Sequence, residues 1–258
     1  MSISSKPTLC VALIVKNEQL HLASCLDSVK DWVDEIVILD SGSTDQTEAI
    51  ARQYTDKFYT TDDWPGFGPQ RQRAQAYIHA DHVLWLDADE QVTPELRQSI
   101  EAVLHTPQND TIYTVNRLSV FLNTEIRHSG WYPDNVARFY KTQSTTYNDA
   151  LVHEKVITKN FNIASLDGDL IHYPYDNIAH YLSKSVSYAK SWSEDRFSKG
   201  KRANLLAPFT HAISCFIKMY LIKRGFLDGK TGFILAALSS FSAFNKYLCL
   251  WEKSYHNK

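Results

Sequence analysis

Residues Val83 to Glu90 read VLWLDADE, four large apolar side chains followed at once by three carboxylates in four positions. A short, unbroken apolar run is the mark of a strand covered on both faces, and such strands belong to parallel sheets sandwiched between helices. In those sheets ligands gather beyond the carboxyl ends of the strands, and this is where Asp87 and Asp89 stand. The same arrangement occurs twice upstream. Cys10 to Val15 (CVALIV) runs directly into Lys16, Asn17 and Glu18, and Ile36 to Leu39 runs into Asp40-Ser41-Gly42-Ser43-Thr44-Asp45. Three polar clusters therefore converge on one rim.

Helical patterns lie between these strands. Leu22, Leu26 and Val29 form one stripe. Ser43 and Gln46 fit a capping box opening a helix through Ile50 and Tyr54. Gln70 to Ile78 reads as a helix after the Pro- and Gly-rich loop Asp62–Pro69, and Pro94 suits the first turn of another. Lys57 to Thr60 reads as a short strand. Strand–helix alternation predicts an α/β fold with right-handed crossovers and a mostly parallel, Rossmann-like sheet flanked by helices.

The rim offers carboxylate rather than glycine. No GxGxxG follows the first strand and no GxxxxGK[ST] is present, which argues against dinucleotide dehydrogenases and P-loop enzymes. Two carboxylates one residue apart suit Mg²⁺ or Mn²⁺, and such an ion neutralises a diphosphate. The plainer alternative is an acidic turn capping the next helix.

The chain has 258 residues, 44% of them hydrophobic and 22% charged, as in an ordinary globular protein. Its four cysteines are scattered without a CxxC pair, which argues against a zinc site or a disulfide scaffold and fits a reducing compartment. The net charge of −2 hides an asymmetry: residues 199–258 hold ten Lys or Arg against Asp228 and Glu252. An acidic body with a basic tail predicts an anionic partner for the tail, and excludes nucleic acid as a partner of the body. In the tail Phe233, Ala237, Phe241, Phe244, Leu248 and Trp251 recur at steps of three and four, as on one face of a helix. Ala203–Ile217 and Thr231–Asn245 are the most apolar stretches, and both read as too short to span a bilayer. Leu9 to Val15 lacks the features of a signal peptide. The expected location is the cytoplasm, with at most a peripheral attachment to a membrane.

In order and spacing, VALIVKNE, EIVILDSGSTDQT and VLWLDADE resemble the nucleotide-sugar domain of glycosyltransferase family 2. GFGPQR, SGWYPDNVARFY, LVHEK, LIHYPY and GFLDGKTG extend the likeness over nearly the whole chain. They resemble the bacterial lipopolysaccharide core beta-glycosyltransferases, which add glucose to an inner-core heptose. The resemblance implies a GT-A fold over residues 1–198 with a helical extension over 199–258. It further implies a UDP-sugar donor, UDP-glucose foremost, a glycolipid core acceptor, and Mg²⁺ or Mn²⁺. Carried onto this chain, it assigns the nucleoside to Asn17, Glu18, Asp40, Ser41 and Ser43, and the base or diphosphate to Gln70 and Arg71. Asp87 falls to ribose or metal, and Asp89 to the metal. Family members often have Asn where this chain has Gln72, and no role is carried onto that position.

Sugar transfer with inversion needs a general base for the acceptor hydroxyl. The candidates in the second half are Asp134, Glu154, Asp167, Asp169 and Asp176. Glu154, at the end of an expected strand Ala150–Val152 and within LVHE, is preferred, with Asp134 second. The alternative for Glu154 is a strand-end carboxylate paired with a basic neighbour. His172, in LIHYPY, reads as a half-buried, hydrogen-bonded histidine before it reads as a metal ligand. Trp64, Trp131, Tyr132 and Tyr173 are available to stack on sugars, though packing is the commoner fate of each. Two other classes compete: a phosphatase with Asp87 as nucleophile, and a non-catalytic glycan-binding protein.

Overall fold

The computed structural model describes residues 6–256 apart from 107 and 109. The chain divides into two compact units. One runs to Arg117 and resumes over Asp134–His172; the other comprises Leu118–Pro133 and the chain from Tyr173 onward. This differs from a single cut after residue 198, because the helix Ile178–Ser198 packs with the tail.

The first unit is built on β1 (Leu9–Val15), β2 (Glu35–Asp40), β3 (Phe58–Thr60), β4 (His82–Trp85), β5 (Glu90–Val92), β6 (Thr111–Phe121), β8 (Asp134–Lys141) and β9 (Asn162–His172). The strand order is β3-β2-β1-β4-β8-β6-β9-β5, with the two-residue β7 (Thr124–Glu125) paired to β6 in the second unit. The expected parallel sheet is its first half: β3, β2, β1 and β4 are mutually parallel. The middle of the chain joins through antiparallel pairs, β8 on β4 and β6 on β8.

Alternation explains the unbroken apolar runs. Leu9, Val11, Leu13 and Val15 face one layer, while Cys10 and Ala12 face the other; Ile36 and Ile38 part from Val37 and Leu39 in the same way. The first layer is covered by α1 (Leu22–Asp27), α2 (Thr47–Ala51) and α4 (Pro94–His105), the second by α3 (Phe67–Gln75). On that second face Trp85 Nε1 donates to the Tyr140 hydroxyl at 2.8 Å. The capping box does not form. Ser43 turns back to Asp40, and α2 starts at Thr47, whose hydroxyl bonds Asp45.

Helix α3 begins three residues earlier than the sequence pattern suggests, and two glycines are the reason. Gly66 has φ +111, and a Cβ there would lie 2.7 Å from Leu151 Cα; one on Gly68 would lie 1.9 Å from the Asn148 carbonyl oxygen. Loop 148–154 therefore lies directly on the start of α3. Phe67 and Gly68 donate their N–H groups to the Leu151 and Ala150 carbonyls at 3.1 and 3.0 Å, satisfying donors that a helix start leaves open. The strand expected at Ala150–Val152 is absent: these carbonyls cap α3, and only an isolated bridge, Tyr147 to Val156, flanks the loop.

The second unit holds α5 (Ile178–Ser198), α6 (Ala207–Phe216), a π-helical continuation over Ile217–Ile222, a 3₁₀ turn over Gly225–Asp228, and α7 (Gly229–His256). Asn177 caps α5, its side chain accepting from His180 N at 2.8 Å, while Asp176 pairs with the His180 ring. Phe121, Ile126, Tyr181 and Leu235 form its small core; Trp131 and Tyr175 pack against it, which is the fate of Trp131. The 31-residue helical span Gly225–Tyr255 contains an 18-residue stretch of mean hydropathy 1.4, and is long and apolar enough to cross a membrane; 17% of that stretch is buried. This corrects the length read from Thr231–Asn245, because the helix runs on through Lys246.

Candidate active site

The loops after β1 and β2 leave the sheet side by side, since Val15 pairs with Asp40. They are knitted into one ledge. Asn17, in the left-handed region at φ 56, accepts from Thr44 N through Oδ1 at 2.8 Å and donates its own N–H to Ser43 Oγ at 2.8 Å. Asparagine is one of the few residues that hold this backbone conformation at little cost. Glu18 N donates to Thr47 Oγ1 at 2.8 Å. Asp40 is buried and accepts from Gly42 N at 3.0 Å, from Ser43 N at 2.8 Å and from the Ser43 hydroxyl. Both its oxygens thus serve the turn that shapes the ledge. Ser41 N donates to the Val15 carbonyl at 3.0 Å. Fully buried Gln70 supports the ledge from α3, donating to Ser41 Oγ at 3.0 Å and Thr61 Oγ1 at 2.7 Å. Its Oε1 is buried without a partner.

Beside the ledge, at the end of β4, lies a network of buried ions. Arg71, one residue along α3, is clamped between the rings of Trp85 and Tyr147, 5.3 and 5.0 Å from their centres. It donates to Asp87 Oδ1 at 2.5 Å and to Glu154 Oε1 at 3.1 Å. Arg138, on β8, donates to the other Asp87 oxygen at 2.5 Å and to Glu90 Oε1 at 3.0 Å. Glu90, with no solvent exposure, also accepts from Asp87 N at 2.9 Å. Arg117 reaches Glu90 at 3.7 Å and Asp134 at 2.6 Å. Three guanidiniums thus face four carboxylates. Burial opposes the charge on Asp87, but Arg138 and Arg71 outweigh it and hold its carboxyl far below the usual carboxylate range. Burial pushes Glu90 up, and Arg138 offsets this only in part.

Asp89 stands apart from the arginines. Its Oδ2 lies 3.5 Å from His172 Nε2, because β5 and β9 pair Glu90 with His172. One carboxylate and one imidazole suit a divalent ion that keeps water and substrate phosphate in its remaining positions, as Mg²⁺ commonly does. No group of three or more His, Cys, Asp or Glu is arranged for a metal among the described residues, so substrate and solvent would supply the rest of the shell. Asp87, expected to share the metal, has both oxygens engaged by arginine.

Of the base candidates, Glu154 is the one that shares a partner with Asp87. Asp134 is bound by Arg117, Asp176 by His180, and Asp167 and Asp169 lie where β9 meets α4 through Ser99 and Thr93. Gln72, left without a role by the sequence, holds this corner by donating to the Tyr147 carbonyl at 2.7 Å and to Asp149 at 2.9 Å. The role of Arg138 escaped the sequence reading. Its signal is visible in hindsight: a cation in the strand pattern Val136-Ala137-Arg138-Phe139-Tyr140 must meet a buried anion.

Residues 10–167 match Glycosyl transferase family 2. The chain belongs to glycosyltransferase family 2. The sheet and its flanking helices are accordingly the family's GT-A fold, extended by C-terminal helices. Among relatives, an uncharacterized glycosyltransferase of Rickettsia felis is 28% identical over 95% of this chain and 90% of its own length. The lipopolysaccharide core biosynthesis glycosyltransferase LpsC of Rhizobium meliloti is 24% identical over 94% of both chains. A solved glucosyl-3-phosphoglycerate synthase from Mycobacterium tuberculosis, in complex with Mn²⁺, UDP-glucose and phosphoglyceric acid, is 28% identical with a TM-score of 0.37. That likeness spans 44% of each chain, less than half of either.

Proposed function

We propose that this family 2 enzyme is an inverting glycosyltransferase that moves glucose from UDP-glucose to an inner-core lipopolysaccharide acceptor. The observation that carries the reading is the rim itself: the polar ends of β1, β2 and β4 side by side, with the Asp89–His172 pair beside them. The LpsC relative supports the acceptor class. Asn17, Glu18, Asp40, Ser41 and Ser43 form the nucleoside ledge, with Gln70 and Arg71 behind it. Asp89 and His172 would hold Mg²⁺ or Mn²⁺, whose chemistry is to offset the charge that develops on the departing diphosphate. Asp87 fixes Arg71 and Arg138 at the same edge. Glu154 takes the proton from the acceptor hydroxyl as that oxygen attacks the anomeric carbon, and Arg71 orients its carboxylate. The basic tail keeps the enzyme at the cytoplasmic face of the inner membrane, where such an acceptor resides.

The phosphatase alternative needs a free nucleophilic carboxylate at residue 87. The two guanidiniums on Asp87 weigh against it. The deciding experiment screens transfer and hydrolysis of UDP- and GDP-sugars with Mg²⁺, Mn²⁺ or EDTA. UDP-glucose turnover that EDTA abolishes is the expected result. Full activity in EDTA overturns the metal, turnover of GDP-sugars alone overturns the donor, and a trapped aspartyl-phosphate on Asp87 overturns the reaction class.

A further inference from the structure

The second unit wears apolar side chains on its outside. Along α6 and its π-helical continuation, Leu206, Phe209, Ile213, Ile217 and Leu221 are between 42% and 69% exposed. They recur at steps of three and four. A plain α-helix would carry this stripe slowly around its axis, but the wider π turn over Ile217–Ile222 brings Leu221 back into line with Ile213. The returning helix α7 adds Phe233 and Phe241, 50% and 48% exposed, and the connecting turn adds Phe226 and Leu227. Ring contacts join these pieces into one surface: Phe216 and Tyr220 meet Phe233 at 5.8 and 5.6 Å, and Tyr220 meets Phe226 at 6.2 Å. A contiguous apolar face of this kind marks a surface made to be covered.

Charge decides what covers it. Lys218 lies between Ile217 and Leu221 in the chain, and Lys201, Arg202, Lys223, Arg224 and Lys230 stand about the ends of the two helices, all of them exposed. The one acid between Lys199 and Trp251 is Asp228, and it is turned inward. Asp228 is buried and accepts from the backbone N–H groups of Arg127 and His128, from the His128 ring at 2.9 Å and from Ser129 Oγ at 3.0 Å. A second copy of this chain would bring this basic set against itself. An anionic bilayer offers acyl chain to the apolar face and phosphate to the basic set.

The other face of α7 sets the orientation. Ser239 and Ser242 bond Tyr181 and Ser185 of α5 at 3.2 and 2.6 Å, and Lys253 reaches Glu194 at 3.8 Å. Helix α5 carries Lys190, Glu194, Asp195 and Arg196 toward solvent. Placing α7 across a bilayer would strip these partners away or drag their charges into hydrocarbon.

We propose that α6 and α7 form an in-plane membrane anchor, seated by Leu206, Phe209, Ile213, Ile217 and Leu221 in the acyl boundary of an anionic bilayer and held by this set of Lys and Arg against its headgroups. The proposal rests on the membrane role given to the tail above and names the surface that performs it. Sedimentation of the full chain with vesicles of phosphatidylcholine containing one-quarter phosphatidylglycerol tests it, without donor or acceptor present. Binding should weaken with salt. It should fall at least tenfold in Leu206→Glu/Ile213→Glu, and roughly a hundredfold at low salt in Lys218→Gln/Lys223→Gln/Arg224→Gln. The double and triple variants should keep wild-type circular dichroism and wild-type hydrolysis of UDP-glucose. Alkaline carbonate should release the protein from membranes of expressing cells. Wild type remaining in the supernatant at low salt overturns the proposal, as does equal binding by the variants or by vesicles lacking phosphatidylglycerol. Release by detergent alone makes α7 a spanning helix, and a dimer dissolved by Leu206→Glu/Ile213→Glu makes the face a self-interface. Hydrolysis of UDP-glucose is read separately, so its failure indicts the transferase reading and leaves the anchor standing.

Discussion

The two units dispose of their charged and apolar residues in opposite ways. At the sheet rim, Arg71, Arg138 and Glu90 are buried and locked together, while the apolar runs of β1, β2 and β4 lie inside with Ile14 alone partly exposed. In the helical unit, Phe209, Ile213 and Leu221 face outward, and the charged side chains of α5 are in water. Burying ions against one another is costly unless each finds a partner, so a site that does it holds a fixed arrangement of charge. Leaving apolar side chains outside is costly in water, so a surface that does it meets another medium. Composition averages the two and shows neither.

The sharpest way to break the comparison is at Asp89. This residue contributes nothing to the arginine network, so Asp89→Asn should leave thermal unfolding unchanged. It should cost roughly a thousandfold or more in transfer, about 4 kcal/mol of transition-state stabilisation. Activity within tenfold of wild type would remove Asp89 from the chemistry.

Arg138→Gln tests the opposite property at the same rim. It leaves fully buried Glu90 and half-buried Asp87 with one guanidinium fewer, a loss on the order of 3–5 kcal/mol. The pH dependence carries a sign. Asp87 ionises more readily folded than unfolded, so the stability it contributes is complete above the ordinary carboxylate pKa, about pH 4, and drains away as the pH falls below it. Glu90 acts the other way: its raised pKa contributes at low pH and is lost as the pH rises. Without Arg138 the Asp87 contribution shrinks, and acid unfolding followed by circular dichroism should move to higher pH. An unmoved acid transition would mean the guanidinium does not govern Asp87.

A smaller effect separates chemistry from support. Glu154→Gln keeps the shape of loop 148–154 and its caps on α3, and should lower turnover by a factor on the order of hundreds with UDP binding nearly unchanged. If Asp134→Asn shows that pattern instead, the base is Asp134.

The parallel half of the fold was legible because covered strands write themselves as unbroken apolar runs ending in polar clusters. The rim residues Asn17, Asp40, Ser43, Gln70, Arg71, Asp87, Asp89 and Glu154 were legible as a set for the same reason. Their partners were not. Arg138 and Arg117 reach Glu90 only because β8 comes back antiparallel beside β4 and β6 in turn pairs antiparallel with β8, and no local pattern encodes that pairing. The loop bearing Glu154 was misread as a strand because LV before HE is apolar. Its conformation is set instead by two glycines some eighty residues earlier in the chain. In the tail, periodicity located an apolar stripe on α7 correctly. It gave no account of how much of that stripe would stay exposed, and the tail's most exposed large apolar residues, Leu206 and Ile222, proved to lie at the two ends of α6 and its π-helical continuation.

The smallest effect is expected where intuition from the core would place a large one. Leu235 is fully buried in the second unit, and Leu235→Ala should cost about 2–5 kcal/mol, since truncation leaves a cavity its neighbours cannot close. Ile213 is just as apolar but 61% exposed, so Ile213→Glu removes little packing. Surface substitutions away from special features change stability by roughly 0.5 kcal/mol or less, and glutamate is at least as good a helix former as isoleucine. For a chain of this size that is a shift in the unfolding midpoint of under about 2 °C. Thermal unfolding in detergent-free buffer measures both variants side by side. Similar losses would show that the outer face of α6 holds the fold together in water, and the contrast between the two units would disappear. A large loss for Leu235→Ala with none for Ile213→Glu shows that the folded chain gains nothing in water from its outward apolar face.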